Sequence, residues 1–300
     1  MTRLNIDILG MCESRWSGIG ETLVNGHHIC WSGPDASLPD GAPVGQAGVA
    51  LALTSAARKA MISWTPINER FLTARFNHRH GKLSVVIAYS PTDLATDDVK
   101  DRFYATLARI INKVSKHDIT IVLTDANATL CTAARDSHPD AVGRFFVDPT
   151  TNDNGERLLD FCIESDLKVI DTCFPRKRIH YWTWYSNDGR TKRALDHILV
   201  SRRWSTGITQ CRVYRSAQLG NTDHRLLSAK LRLKLKAESK SNRTPKFNLE
   251  NLKDPEIRYR YQVEITNRFN ALARTTTSEL REGEAGTQDI PNHNGNVNEI

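Results

Sequence analysis

Several acidic, amide and imidazole side chains lie next to strand-like runs, and their types suit metal binding or proton transfer. Glu13 follows an apolar run in ILGMCESRW, Asp125 and Asn127 close the run ITIVL in LTDANA, Asp196 lies within RALDHILV, and Asp223 and His224 precede an apolar stretch in GNTDHRLL. Sites are usually built at strand ends and in the loops behind them. Carboxylates are hard oxygen ligands for a hard cation, and a histidine beside an acid can hold or pass a proton near neutral pH. Each residue also has a plainer reading. Glu13 reads as a surface glutamate near a turn, Asp125 and Asn127 as strand terminators, and Asp223–His224 as an N-terminal turn cap. Asp196 is harder to dismiss. Flanked by Ala194, Leu195, Ile198 and Leu199, it is expected to be partly buried, and a buried acid must be paired. His197 alternates to the opposite strand face and reads as structural.

The elements that would position these residues are legible as short apolar or alternating runs. Strands are expected at Ile6–Leu9, Gly48–Leu53, Phe71–Phe76, Leu83–Tyr89, Ile119–Thr124, Leu167–Ile170, Leu195–Val200 and Leu226–Leu235. Residues 97–115 carry Val99, Phe103, Leu107, Ile110, Ile111 and Val114 on one stripe, which predicts a helix. A second helix is expected over 155–165, opened by the NDNG turn at Asn152–Gly155. Strands interspersed with a few helices suggest an α/β layered domain over 1–236. Beyond it, 237–300 reads as a polar linker, a possible helix at 254–275 spaced by Ile257, Tyr261, Ile265 and Phe269, and a disordered tail.

The chain has 300 residues, 39% hydrophobic and 25% charged, with a mean hydropathy of −0.46. That apolar content excludes a wholly disordered or collagen-like chain, and no run approaches the roughly 20 apolar residues of a membrane span. The N-terminal residues do not read as a secretory signal. Lysine and arginine outnumber the acids by 41 to 34, for a net charge of +7, a mild bias toward a polyanionic partner. The six cysteines contain no CxxC pair, so they read as reduced thiols of a cytosolic or nuclear protein rather than as a zinc module.

Taken in order, the glutamate of CESRW, AYSPT, TDANA, TW, the strand LDHILV and the final TDH resemble the endonuclease/exonuclease/phosphatase (DNase I-like) superfamily. The likeness is strongest to endonucleases of RTE/BovB-type LINE retrotransposons and to craniofacial development protein 2-like chains. SRW at 14–16, NGER at 154–157, RIH at 178–180 and KFNLENLKDPE fit the same pattern. The resemblance implies a four-layered α/β sandwich, two packed mixed sheets flanked by helices. It implies Mg²⁺ (with Mn²⁺ as a possible substitute), DNA as substrate, and nicking of one strand. It would make Glu13 and Asp223 metal-binding residues, Tyr89 a phosphate contact, Asp125 the proton-handling acid, Asn127 its phosphate-orienting partner, His224 a base or phosphate-stabilising group, and Asp196 the acid that fixes the His224 tautomer. Residues 245–275 would be the connector to a reverse transcriptase, and the location nuclear, with cytoplasmic as the alternative.

The sequence departs from the family's usual GDFNA at Thr124 and Ala126, and has Ala194 where a polar residue is common. The family's first strand, which carries a site Asn, has no counterpart, so an N-terminally truncated domain is expected. DNA contact has separate support in Arg176, Lys177, Arg178, His180, Arg190, Lys192 and Arg193, interleaved with Tyr181, Trp182, Trp184 and Tyr185. Such a mix suits phosphate neutralisation with stacking; the plainer reading is a solvated basic loop around core tryptophans. Two other functions stay open: a catalytically impaired nucleic-acid-binding remnant, and a phosphomonoesterase or phospholipase of the same superfamily.

Overall fold

The computed structural model describes residues 1–34, 47–217, 222–237, 253–259, 261–262 and 265–266. The chain divides into two units, Met1–Ser239 and Lys240–Ile300. In the first unit, β1 (Ile8–Cys12), β2 (Ile19–Val24), β3 (His27–Ser32) and β4 (Val49–Leu53) form an antiparallel sheet in the order β1-β4-β3-β2. A short helix, α1 (Ser55–Ala60), leads to β5 (Met61–Asn68), β6 (Phe71–His78) and β7 (Gly81–Tyr89). The helix α2 (Asp97–Lys113) then crosses to β8 (Ile119–Asp125), which runs parallel to β7. After α3 (Ala133–Ser137) and α4 (Asp153–Glu164) come β9 (Leu167–Val169), the hairpin of β10 (Trp184–Tyr185) and β11 (Lys192–Arg193), β12 (Asp196–Ser201), β13 (Ile208–Tyr214) and β14 (Leu226–Leu231). The larger sheet has the order β5-β6-β7-β8-β12-β9, while β13 and β14 pair with each other.

Side-chain alternation in the larger sheet sorts its residues between two cores. From β7, Leu83, Val85, Ile87 and Tyr89 meet the first sheet's Leu51 and Leu53. The intervening Val86 and Ala88 meet Phe103 and Leu107 of α2 and Leu158 and Leu159 of α4. Phe71 stacks on Phe103 with ring centroids 4.8 Å apart. A third core forms where Ile198 and Val200 of β12 meet Ile208 and Cys211 of β13 and Leu227 and Ala229 of β14. Each such large side chain contributes about 1.5–3 kcal/mol on burial. This is an α/β fold of packed sheets, with α2 and α4 on one face of the larger sheet.

The strand expected at Leu226–Leu235 pairs regularly only to Leu231. Leu233 and Leu235 still pack on the inter-sheet core, and Leu235 bridges to His78. β1 pairs with β4 alone among the described residues. Of the helix expected at 254–275, residues 255–259, 261–262 and 265–266 are helical, and the rest, like the tail, lies outside the described residues. Among the described residues, no helix is long and apolar enough to cross a membrane.

Candidate active site

Register brings three site residues into one row. Tyr89 is opposite Asp125 in the parallel β7–β8 pair, and Asp125 is opposite Asp196 in the antiparallel β8–β12 pair. The alternation that sends Val85, Ile87, Ile121, Leu123, Ile198 and Val200 toward the first sheet and β13–β14 sends these three the same way. They therefore stand side by side at one end of the larger sheet, where the apolar packing gives out.

Loops from outside the larger sheet complete the cluster. Glu13, in the left-handed conformation with φ 53° just beyond β1, accepts the Tyr89 hydroxyl at Oε1 at 2.7 Å. Before β14, His224 places Nδ1 2.9 Å from Asp196 Oδ2 and Nε2 3.9 Å from Asp125 Oδ2. The main-chain N–H groups of Leu195 and Asp196 both donate to the buried Thr183 hydroxyl, at 2.9 and 3.1 Å. Asp223 accepts the Trp184 indole N–H at 2.7 Å. Trp184, half-buried rather than a core side chain, also bridges to His224 through its backbone. The β10–β11 hairpin is thus fastened to the site at its base.

The electrostatics follow from crowding acids in a partly dry place. Burial pushes the Asp125 carboxyl up to about 7, and the Asp196 charge adds to the shift. For His224, burial works against the charged ring, but Asp196 outweighs it through its charge and hydrogen bond, and the ring rises to about 10. Burial and Glu13 raise Tyr89 above its usual value. Below the acids, burial and the Asp125 charge keep the Cys12 thiol protonated.

Asp125, Asp196 and His224 can each offer one atom within 4.8 Å of the others, a group able to hold a metal ion. Glu13 and Asp223, the metal-binding residues expected from sequence, stand outside that group, each tied by one oxygen to a neighbouring aromatic donor. Oxygen donors of this kind fit a hard divalent cation.

The basic residues separate into two sets. Arg176 is turned inward: it donates to the His180 carbonyl at 3.1 Å and to the Asp171 carbonyl, and covers the Tyr181 ring at 4.3 Å. His180 contacts the Val213 carbonyl and Arg212. Lys177, Arg178, Arg190 and Lys192 are exposed. Lys192 lies over Trp182 and Tyr185 at 5.3 and 5.6 Å, and Arg178 over Trp182 at 5.7 Å. Arg193 is half-buried near Asp148, at 4.0 Å.

Sequence reasoning missed Asp171, whose Oδ2 lies 3.0 Å from His197 Nδ1, while His197 Nε2 meets the Ala128 carbonyl at 2.9 Å. It named Thr183 only within the TW motif and missed its contacts, and it missed Arg225, which covers Tyr185 at 5.2 Å, and the contacts of Asn152 and Asn154 with the Asp125–Thr129 loop. The TW motif and the NDNG turn were the signals for these.

The chain matches no protein-family model. Over 243 residues it is 33% identical to craniofacial development protein 2 of Bos taurus and 32% identical to that of Tragulus javanicus, with 81% of this chain covered in each case. This chain is a homologue of craniofacial development protein 2. It spans 39% and 40% of the length of these relatives. Among solved structures, it resembles the 3′ phosphatase NExo from Neisseria bound to a product DNA hairpin, with TM-score 0.54 and 17% identity, covering 75% of this chain and 88% of that one. It also resembles an AP endonuclease from Archaeoglobus fulgidus, with TM-score 0.53 and 17% identity, covering 77% and 91%. These likenesses show the fold, that of the DNase I-like endonuclease/exonuclease/phosphatase superfamily.

Proposed function

We propose that the domain hydrolyses phosphodiester bonds in DNA with Mg²⁺, nicking one strand of a duplex. The observation that carries this reading is the row Tyr89–Asp125–Asp196 with His224 seated over its acidic end. Asp125 and Asp196, with Glu13 and Asp223 at the rim, are the residues that would hold the cation, which when bound would offset charge building on the phosphate and the departing oxygen. Asp196 holds His224 Nδ1–H, which fixes the ring with Nε2 toward Asp125. The charged ring donates Nε2–H to a non-bridging phosphate oxygen. Asp125, raised toward neutrality, takes a proton from the attacking water. The new P–O bond forms as the bond to the departing sugar oxygen breaks, and that oxygen is protonated from solvent.

The exposed Lys177, Arg178, Arg190 and Lys192, set among aromatic rings, would line the duplex backbone. The same reading takes the domain as the endonuclease unit of a non-LTR retrotransposon lineage, acting in the nucleus and once joined through 245–275 to a reverse transcriptase. Supercoiled plasmid tests the activity: nicking is expected with Mg²⁺ and protection with EDTA. Asp125→Ala, Asp223→Ala and His224→Ala should each abolish nicking, and three variants that nick like the parent would refute the assignment.

A further inference from the structure

The loop behind β8 is held in an unusual shape. Asn127 has φ 48°, in the left-handed region, which a non-glycine residue keeps only when its surroundings enforce it. Its N–H reaches Asp125 Oδ1 at 3.3 Å, so the same turn aims the carboxylate. Two side chains from the start of α4 enforce the turn. Asn152 Nδ2 donates to the Asn127 carbonyl at 2.9 Å, and Asn154 Nδ2 donates to it at 3.3 Å and to the Pro91 carbonyl at 3.0 Å. Asn152 Oδ1 accepts from Thr129 N–H and from Gly155 N–H, both at 2.9 Å. One side chain therefore caps the helix and clasps the loop. The approach is close enough that a Cβ on Gly155 would fall 2.3 Å from the Thr129 carbonyl oxygen. Asn154 is fully buried, too deep to touch a substrate.

We propose that Asn152 and Asn154 are positioning residues: their amides fix the Asn127 peptide and, through it, the Asp125 carboxylate that takes the proton of the attacking water. The proposal rests on the reading of Asp125 and Asn127 as site residues.

Asn152→Asp separates clasping from folding. An aspartate keeps both acceptor contacts and is an equally good helix cap, but it replaces the donor to the Asn127 carbonyl with an oxygen that repels it. In the full chain, kcat for plasmid nicking is expected to fall about tenfold or more with KM and melting temperature little changed. In an Asn127→Ala background the same substitution should add little, because it acts through Asn127. Parental turnover in Asn152→Asp, or an effect that multiplies in full with that of Asn127→Ala, would overturn the proposal. A readout independent of turnover is the Asn127 Cα chemical shift, expected to move away from its left-handed value in Asn152→Asp; an unmoved shift would also overturn it. Asn127→Ala nicking at the parental rate is a separate result, and it would bring down the reading of the site itself.

Discussion

Carboxylates directly opposite each other across an antiparallel pair repel, and Asp125 and Asp196 are such a pair. His224 relieves the repulsion, at the cost of a ring that holds its proton up to about pH 10. Asp196→Asn keeps the shape and removes the charge that holds that proton. Turnover should drop on the order of a hundredfold or more, and the alkaline limb of the pH–rate profile should move to lower pH; a profile of unchanged shape would sink the role given to Asp196. On the other face of β12, His197 is buried against Asp171. Burial disfavours its charge, but Asp171 overcomes this and raises the ring to about 9 from 6.5. Its contribution to stability is then complete below pH 6.5 and is lost as pH rises through about 9. The melting temperature should fall across that window more steeply than in His197→Gln, and equal slopes would contradict the pairing. Asp196 was legible in the sequence because its neighbours are apolar. Asp171 was not, since nothing local to it tells of a histidine 26 positions away.

At the scale of elements, the β10–β11 hairpin joins the site to the exposed cations. Charge reversal of Lys177, Arg178, Arg190 and Lys192 together should weaken binding to any DNA sequence and flatten the dependence of log K on log salt. A slope equal to the parent's would place the DNA surface elsewhere. Arg176 belongs outside that set, because its guanidinium is spent on carbonyls of the fold; sequence reveals a charge but not the way it turns. The same limit governs the strands. β7 and β8, buried on both faces or nearly so, announce themselves as apolar runs. β2 lies almost wholly exposed, with Glu21 and Thr22 among its residues, and β5 contains Pro66 and Asn68. Neither leaves a pattern to read, and the two-residue strands β10 and β11 are too short to have one. α2 was read nearly to its ends because one stripe of it is buried and the rest is not.

For the whole molecule, the last described contacts of the first unit are those of Lys234 and Lys236 with Arg79 and Asn77. Deleting 240–300 should therefore leave the melting temperature of the remaining chain within about 2 °C of the parent, as read by calorimetry; a larger loss would mean that the second unit supports the first. The row at the heart of the site has a further consequence. Glu13, Tyr89, Asp125, Asp196 and His224 come from separate strands and loops spread along most of the first unit, and the imidazole precedes its final strand. Little of the cluster is local in sequence, so it forms only when the whole sheet has closed, which topology of this kind does slowly. On the ribosome, an emerging chain carries Glu13, Asp125, Asp196 and its basic hairpin well before Asp223 and His224, which emerge just ahead of β14. On the proposed function, chemistry would therefore switch on with the last strand rather than build up along the way.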